Sequence, residues 1–257
     1  MNTGLKDKGV LVLASSTGLG KAGALEFAKE GAKVMMFSHS EEKLVSAKND
    51  IQMRTGNKDV HYTVGNLMNQ EDIEKAVHDT VRITGSIDIL VNNSGGPPSG
   101  EFFEFSDKDW SKAFELTLLS YVRSIRAAFP YMKEQGGGRI VNSTSSSVKS
   151  VIDNLILSNT FRMGVMGLTK SLSQEFGQHN ILINVIGPGR IETSRTQFLN
   201  KKKAEKTGKD REKRIFLPRR RRNAGGDFVG PSRGGYSSAS DKLSRLGRPR
   251  HGGKKML

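Results

Sequence analysis

Residues 10–28, V-L-V-L-A-S-S-T-G-L-G-K-A-G-A-L-E-F-A, constrain this chain more than any other stretch. Five apolar residues ending at Ala14 are too few for a helix and read as a buried strand. Ser15, Ser16, Thr17 and Gly18 break the run, and from Leu19 an alanine-rich segment continues at helical spacing. Strand, tight turn and helix in that order make a junction with defined physics. Gly18 and Gly20 let the backbone come close to a ligand. The helix beyond offers unpaired N–H groups and a positive dipole end to a phosphate. The same turn also serves plain strand–helix packing, so the rest of the chain must decide between the two.

Strand and helix patterns go on alternating. Strands are predicted at residues 33–37, 60–64, 87–91, 139–142 and 181–186, and helices at 41–54, 71–83, 110–132 and 155–176. The long fourth helix has Ser106 or Asp107 as its N-cap. Strands this apolar, each separated by a helix, need cover on both faces, which means a parallel sheet. The expected fold is α/β: a doubly wound, Rossmann-type sheet between two helical layers, with ligands at the carboxyl ends of its strands.

Composition sets the outer bounds. At 257 residues the chain has the size of one α/β domain, and its lack of cysteine suits a reducing, cytoplasmic setting. The polar first eight residues and the absence of any long apolar run predict neither signal peptide nor membrane partner. The net charge of +15 is concentrated in residues 201–257, which hold 19 of the 41 Lys and Arg and five of the 26 Asp and Glu. The chain therefore divides into a dinucleotide-binding domain, 1–200, and a basic, low-complexity tail, 201–257. The five histidines show no metal-ligand spacing, and no metal is expected.

Unusual residues gather where the strands end. Ser38-His39-Ser40 follows the second strand without an acid. A carboxylate there would bind a ribose 2′-hydroxyl and repel a 2′-phosphate, so its absence, with His39 and Lys43 nearby, favours NADP over NAD. Gly65-Asn66-Leu67 follows the third strand, and Asn92-Asn93-Ser94-Gly95 the fourth. Asn142 to Ser147 is a serine loop, and Gly187-Pro188-Gly189-Arg190 follows the sixth strand.

Taken in order, L-A-S-S-T-G-L-G, N-N-S-G, the serine loop, G-L-T-K-S-L and I-N-V-I-G-P-G resemble the short-chain dehydrogenase/reductase family, in particular its 3-oxoacyl-[acyl-carrier-protein] reductase-like branch. The resemblance covers residues 4 to about 200. It implies a seven-stranded parallel sheet, a nicotinamide cofactor, a small carbonyl or alcohol substrate and a homo-oligomer. Cofactor contacts then fall on Ser15, Ser16, Thr17, Gly18, Leu19, Gly20, Ser38, His39, Asn66, Leu67, Asn92, Ser94, Gly95, Pro188, Gly189 and Ile191. The first glycine of the family's T-G-x-x-x-G-x-G is Ala14 in this chain, and its adenine-site aspartate is Asn66.

The catalytic positions depart further. The family's serine falls on Ser145, but its tyrosine and lysine fall on Ser158 and Arg162, and its asparagine on Thr117. A phenol near an ammonium donates a proton to a developing alkoxide. A serine hydroxyl is a far weaker and shorter acid, and arginine does not relay protons as lysine does. Lys149 is the one nearby ammonium, either a stand-in proton source with Ser145 and water or a solvated loop charge. Two functions follow: an NADP-dependent oxidoreductase with atypical catalytic residues, or a catalytically impaired dinucleotide-binding protein. Phe102, Phe103, Phe105 and Trp110 read as a staple seating the long helix or as a substrate mouth.

After residue 217 the family would continue with a helix and a seventh strand ending in D-G-G. Here the chain runs through Arg219 to Arg222 and on to Gly252-Gly253 with scarcely an apolar pair. Codons for residues 221–228 shifted by one nucleotide permit G-T-P-E-E-I, so the tail reads as a disordered or frame-shifted rendering of the family's C-terminus. An evolved nucleic-acid-binding arm is the rival reading.

Overall fold

The computed structural model describes residues 3–189 together with Ile191 and Thr193. The basic tail, any seventh strand and the segment that begins at Arg190, apart from those two residues, lie outside them.

Six parallel strands form one sheet: β1 (Gly9–Leu13), β2 (Lys33–Ser38), β3 (Val60–Val64), β4 (Ile89–Asn92), β5 (Gly138–Ser143) and β6 (Ile181–Ile186), in the order β3-β2-β1-β4-β5-β6. Helices connect them: α1 (Gly18–Lys29), α2 (Glu41–Thr55), α3 (Gln70–Thr84), α4 (Asp107–Phe114), α5 (Ser120–Glu134) and α6 (Ile156–Glu175). Between β1 and β4 the strand order reverses. A crevice opens at such a reversal, outside the carboxyl ends of the strands.

Strand side chains alternate between faces, and the alternation builds two cores. Val10, Val12, Val34, Met36 and Ile89 pack under α1 and α2 through Ala24, Leu25, Ala28, Leu44, Ala47 and Ile51. Leu11, Leu13, Met35, Phe37, Leu90, Ile140 and Ile183 face the other way, against Ala76 and Val77 of α3 and Ile125, Ala128 and Met132 of α5. All five β1 residues are buried, which is why that strand lacks polar alternation. The result is the three-layer sandwich expected.

The predicted long fourth helix is α4 running straight into α5 through a π-helical turn, Glu115–Leu119. Ser106 begins it: its hydroxyl accepts the Asp109 N–H, and the Asp109 carboxylate accepts the Ser106 N–H. Trp110 seats the segment before the helix on Phe102 and reaches on to α6. It packs edge-on against Phe102 and Phe161, at centroid distances of 6.2 and 5.7 Å, and so ties the segment before α4 to α6. Phe102 and Phe103 remain 56% and 97% exposed.

Two polar clusters pin the strands. At the amino end, the Asp88 carboxylate accepts from the Gly9 N–H at 2.9 Å, from Lys8 Nζ at 2.9 Å and from the Ser86 hydroxyl. At the carboxyl end Asn92 and Asn142 sit side by side in register on β4 and β5, both fully buried. Asn92 Nδ2 donates to Asn142 Oδ1 (2.8 Å), Asn142 Nδ2 donates to Thr169 Oγ1 (2.8 Å), and Ser124 Oγ donates to Asn92 Oδ1 (2.6 Å).

Candidate functional site

A cleft of about 490 Å³ lies over the carboxyl ends of the strands. Its first wall is the β1–α1 turn, through Ser16, Thr17, Gly18 and Leu19. Ala14 enters this turn at φ +48°, the left-handed region that the family's glycine would occupy at no cost. Its neighbours hold it there: the Ser15 N–H donates to Phe37 O, and Asn93 Nδ2 donates to Ala14 O. Gly18 follows at φ +57°. Gly20 serves packing, because a Cβ there would lie 2.3 Å from Ala14 O. Ser15 is likewise internal, its hydroxyl donating to Val12 O and accepting the Phe37 N–H.

The N-termini of α1 and its neighbours differ in a way that bears on charge. Ser40 caps α2 and Asn69 caps α3, and each helix carries two acids in its first turn. Thr17 makes no side-chain cap on α1, and the first turn of α1 holds no acid. The helix end that faces the cleft is thus the one left electropositive.

On one side of this turn lie Ser38, His39, Asn66 and Leu67. Ser16 Oγ donates to Ser38 Oγ at 2.9 Å. Asn66 spends its Oδ1 on the Met68 N–H, while its own N–H donates to Asp72. On the other side lie Ser94, Gly95, Thr144, Ser145, Pro188, Gly189 and Ile191. A Cβ on Gly95 or Gly189 would meet nothing within 4 Å, so a ligand can approach the backbone there. Ser94 is 8% exposed and its Oγ has no hydrogen-bond partner. Ser145 Oγ accepts the Ser147 N–H at 3.1 Å, which leaves its own proton to donate.

Of the predicted catalytic residues, Ser145 alone lines the cleft. Ser158 is half-buried on α6, and Lys149 is exposed past the short turn Ser146–Val148. Arg162 lies under the floor, with its guanidinium on Gly95 O, Ser143 O and the Tyr121 hydroxyl. Asn92, predicted to touch the cofactor, is also beneath the floor. Thr117 is buried in the π-helical turn and donates to Ala113 O, while its neighbour Leu116 reaches the cleft. Tyr121 was not apparent as a site residue, since nothing in the sequence ties it to Arg162 forty-one positions on. The link from Ser145 to α6 is itself fixed. Asn159 grips Ile152 at both its N–H and its carbonyl, and Asn154, at φ +62°, accepts the Gly100 N–H.

A family model for short chain dehydrogenases matches residues 8–204. The chain belongs to that family. It is 33% identical over 203 residues to a 3-oxoacyl-[acyl-carrier-protein] reductase of Thermotoga maritima, covering 78% of this chain and 81% of that one. It is 31% identical over 195 residues to a probable galactose dehydrogenase of Rhizobium meliloti, covering 76% of each. Among solved structures, L-sorbose reductase from Gluconobacter frateurii, complexed with NADPH and L-sorbose, superposes with a TM-score of 0.76 at 28% identity, over 81% of this chain and 79% of that one.

The short-chain dehydrogenase fold implies a nicotinamide dinucleotide, and the cleft residues fit one. The electropositive α1 terminus suits a pyrophosphate. The open backbone at Gly95 and Gly189 and the unpartnered Ser94 hydroxyl await a polar ligand at the far end. Among the described residues no helix is long and apolar enough to cross a membrane, and no group of His, Asp and Glu is placed to hold a metal.

Proposed function

We propose that this short-chain dehydrogenase is an NADP(H)-dependent oxidoreductase acting on a small carbonyl compound or the corresponding alcohol, and that it works as a homo-oligomer. One observation carries the reading: a single cleft runs from acid-free Ser38-His39, past the uncapped α1 terminus, to the Ser145 hydroxyl beside Pro188-Gly189. NADPH in the L-sorbose reductase relative supports the choice of cofactor.

When bound, the nicotinamide supplies the hydride. Ser38, His39 and Ser16 receive the adenosine 2′-phosphate, and Thr17 to Leu19 receive the pyrophosphate. Ser94 and Gly95 with Pro188, Gly189 and Ile191 flank the nicotinamide. Ser145 would donate a hydrogen bond to the substrate oxygen and polarise the carbonyl, and water entering the open cleft would give the proton that completes the alcohol, leaving as hydroxide. Lys149, exposed beyond the turn, takes no part in this scheme.

The second reading, a protein that binds the dinucleotide and reduces nothing, is favoured by one feature, the withdrawal of Arg162 from the cleft. Fluorescence titration with NADPH and NADH, followed by turnover on a panel of small ketones and aldehydes, separates the readings. Tighter NADPH binding with measurable turnover is expected, and Ser158→Tyr combined with Arg162→Lys raises the rate by restoring a phenol next to an ammonium. Cofactor binding with no turnover, unchanged by the double substitution, establishes the second reading. Equal or tighter NADH binding refutes the NADP preference.

A further inference from the structure

Arg162 is 5% exposed, and its partners are all uncharged. Nη1 donates to the Tyr121 hydroxyl (2.9 Å) and to Ser143 O (3.0 Å), and Nη2 donates to Gly95 O (3.4 Å). The Tyr121 hydroxyl spends its own proton on Ser143 O at 2.6 Å. Arg162 Nε is buried with no partner, and none of the ion pairs among the described residues includes this guanidinium. Burying a cation without a counter-ion is costly, and arginine cannot escape the cost by losing its proton. The molecule therefore carries a permanent, uncompensated positive charge. Its location is specific: Gly95 is itself a cleft residue, and Ser143 directly precedes the cleft residues Thr144 and Ser145.

That end of the cleft is where the proposed function puts the nicotinamide, and the inference rests on that reading. The oxidised ring is a cation and the reduced ring is neutral. A fixed positive charge behind the wall raises the free energy of the first and leaves the second almost untouched. We propose that Arg162 is a redox-state selector: it makes the site hold the reduced, uncharged nicotinamide in preference to the oxidised one, and so biases the protein toward reduction. Two unit charges about 10 Å apart at an effective dielectric of about 20 repel enough to change an affinity by on the order of tenfold. Tyr121 is the positioning partner, keeping the guanidinium beneath Gly95 rather than in the cleft.

The test needs no substrate. Dissociation constants of NADPH, NADP⁺ and 2′,5′-ADP are measured on the full chain at low ionic strength, by fluorescence for the first and by calorimetry for the others. The unmodified protein is expected to favour NADPH over NADP⁺ by about tenfold or more. Arg162→Met keeps an unbranched apolar stem as far as Nε and loses the guanidinium charge, so the ratio falls toward one. Arg162→Lys keeps the charge and most of the ratio. The affinity for 2′,5′-ADP, which has no nicotinamide, stays level in all three, whereas general loosening of the fold would lower it. If Arg162→Met does not fold, Arg162→Gln makes the same comparison with a hydrogen-bonding side chain. A ratio near one in the unmodified protein, or a preference surviving in the uncharged variant, overturns the selector role. Failure of the unmodified protein to bind any of the three overturns the cofactor assignment as well.

Discussion

Asn92 and Asn142 offer a sharp test of how the cleft floor is held. In Asn92→Ala, Asn142 Oδ1 loses its donor in a fully buried place, while the Ser124 hydroxyl can turn to Tyr121 O, already 3.0 Å away. One stranded buried acceptor costs about 1–3 kcal/mol, and the space left by the amide adds to it, giving about 2–4 kcal/mol. Asn142→Ala strands Asn92 Nδ2 in the same way at a similar cost. In the double variant neither stranded group remains, so it loses about 2–6 kcal/mol less than the sum of the singles. Urea denaturation followed by circular dichroism reads each term. In a thermal melt each single variant falls by roughly 5–15 °C. If the two losses add to within about 0.5 kcal/mol, the amides do not act as a pair and the reasoning fails.

Ser94→Ala separates binding from stability: the removed hydroxyl has no partner, so the melting temperature holds or rises, while NADPH binding weakens roughly three- to tenfold. An unchanged affinity would mean that no ligand uses this hydroxyl. Asp88 governs the acid limb of stability. Burial works to raise its pKa, but hydrogen bonds from Ser86, Lys8 and the Gly9 N–H, with the charge of Lys8, outweigh that and hold it below the usual 3.8. A carboxylate with a depressed folded-state pKa contributes stability that is present above 3.8 and lost as pH falls through the lower folded value. Asp88→Asn therefore lowers stability at neutral pH and flattens the loss below about pH 4, as melts at a series of pH values would show. An unaltered acid limb would remove Asp88 from this role.

The sheet was legible because buried parallel strands write themselves as short apolar runs. β3 and β6 match their predicted bounds, and β4 starts two residues later than expected, at Ile89. The Ser106 cap was legible for the same local reason. The π-helical turn was not, since E-L-T-L-L contains no helix breaker. Thr117 within it makes the bond to the carbonyl four residues back that helical threonines commonly make. Most of the cofactor loops line the cleft as expected, because glycine, serine and proline at strand ends leave few other arrangements. Ser15, Gly20, Asn92, Lys149, Ser158 and Arg162 do not line it. For Ser15, Asn92 and Arg162 the reason is partners distant in sequence, which satisfy inside the protein chemistry suited to a ligand. For Arg162 the deciding partner is Tyr121, on a different helix.

The grip of Asn159 on Ile152 bears on the thermodynamics of ligand capture. A side-chain amide that takes both the N–H and the carbonyl of one residue does what a neighbouring strand would do, without needing another segment of chain. With Asn154 tied to Gly100, the connection between Ser145 and α6 is ordered before any ligand arrives. Each residue fixed in advance spares the binding step about 1–2 kcal/mol of lost backbone freedom. Association at this wall is therefore expected to have a small entropic penalty, and the Ile152 amide hydrogen should exchange slowly in the ligand-free protein.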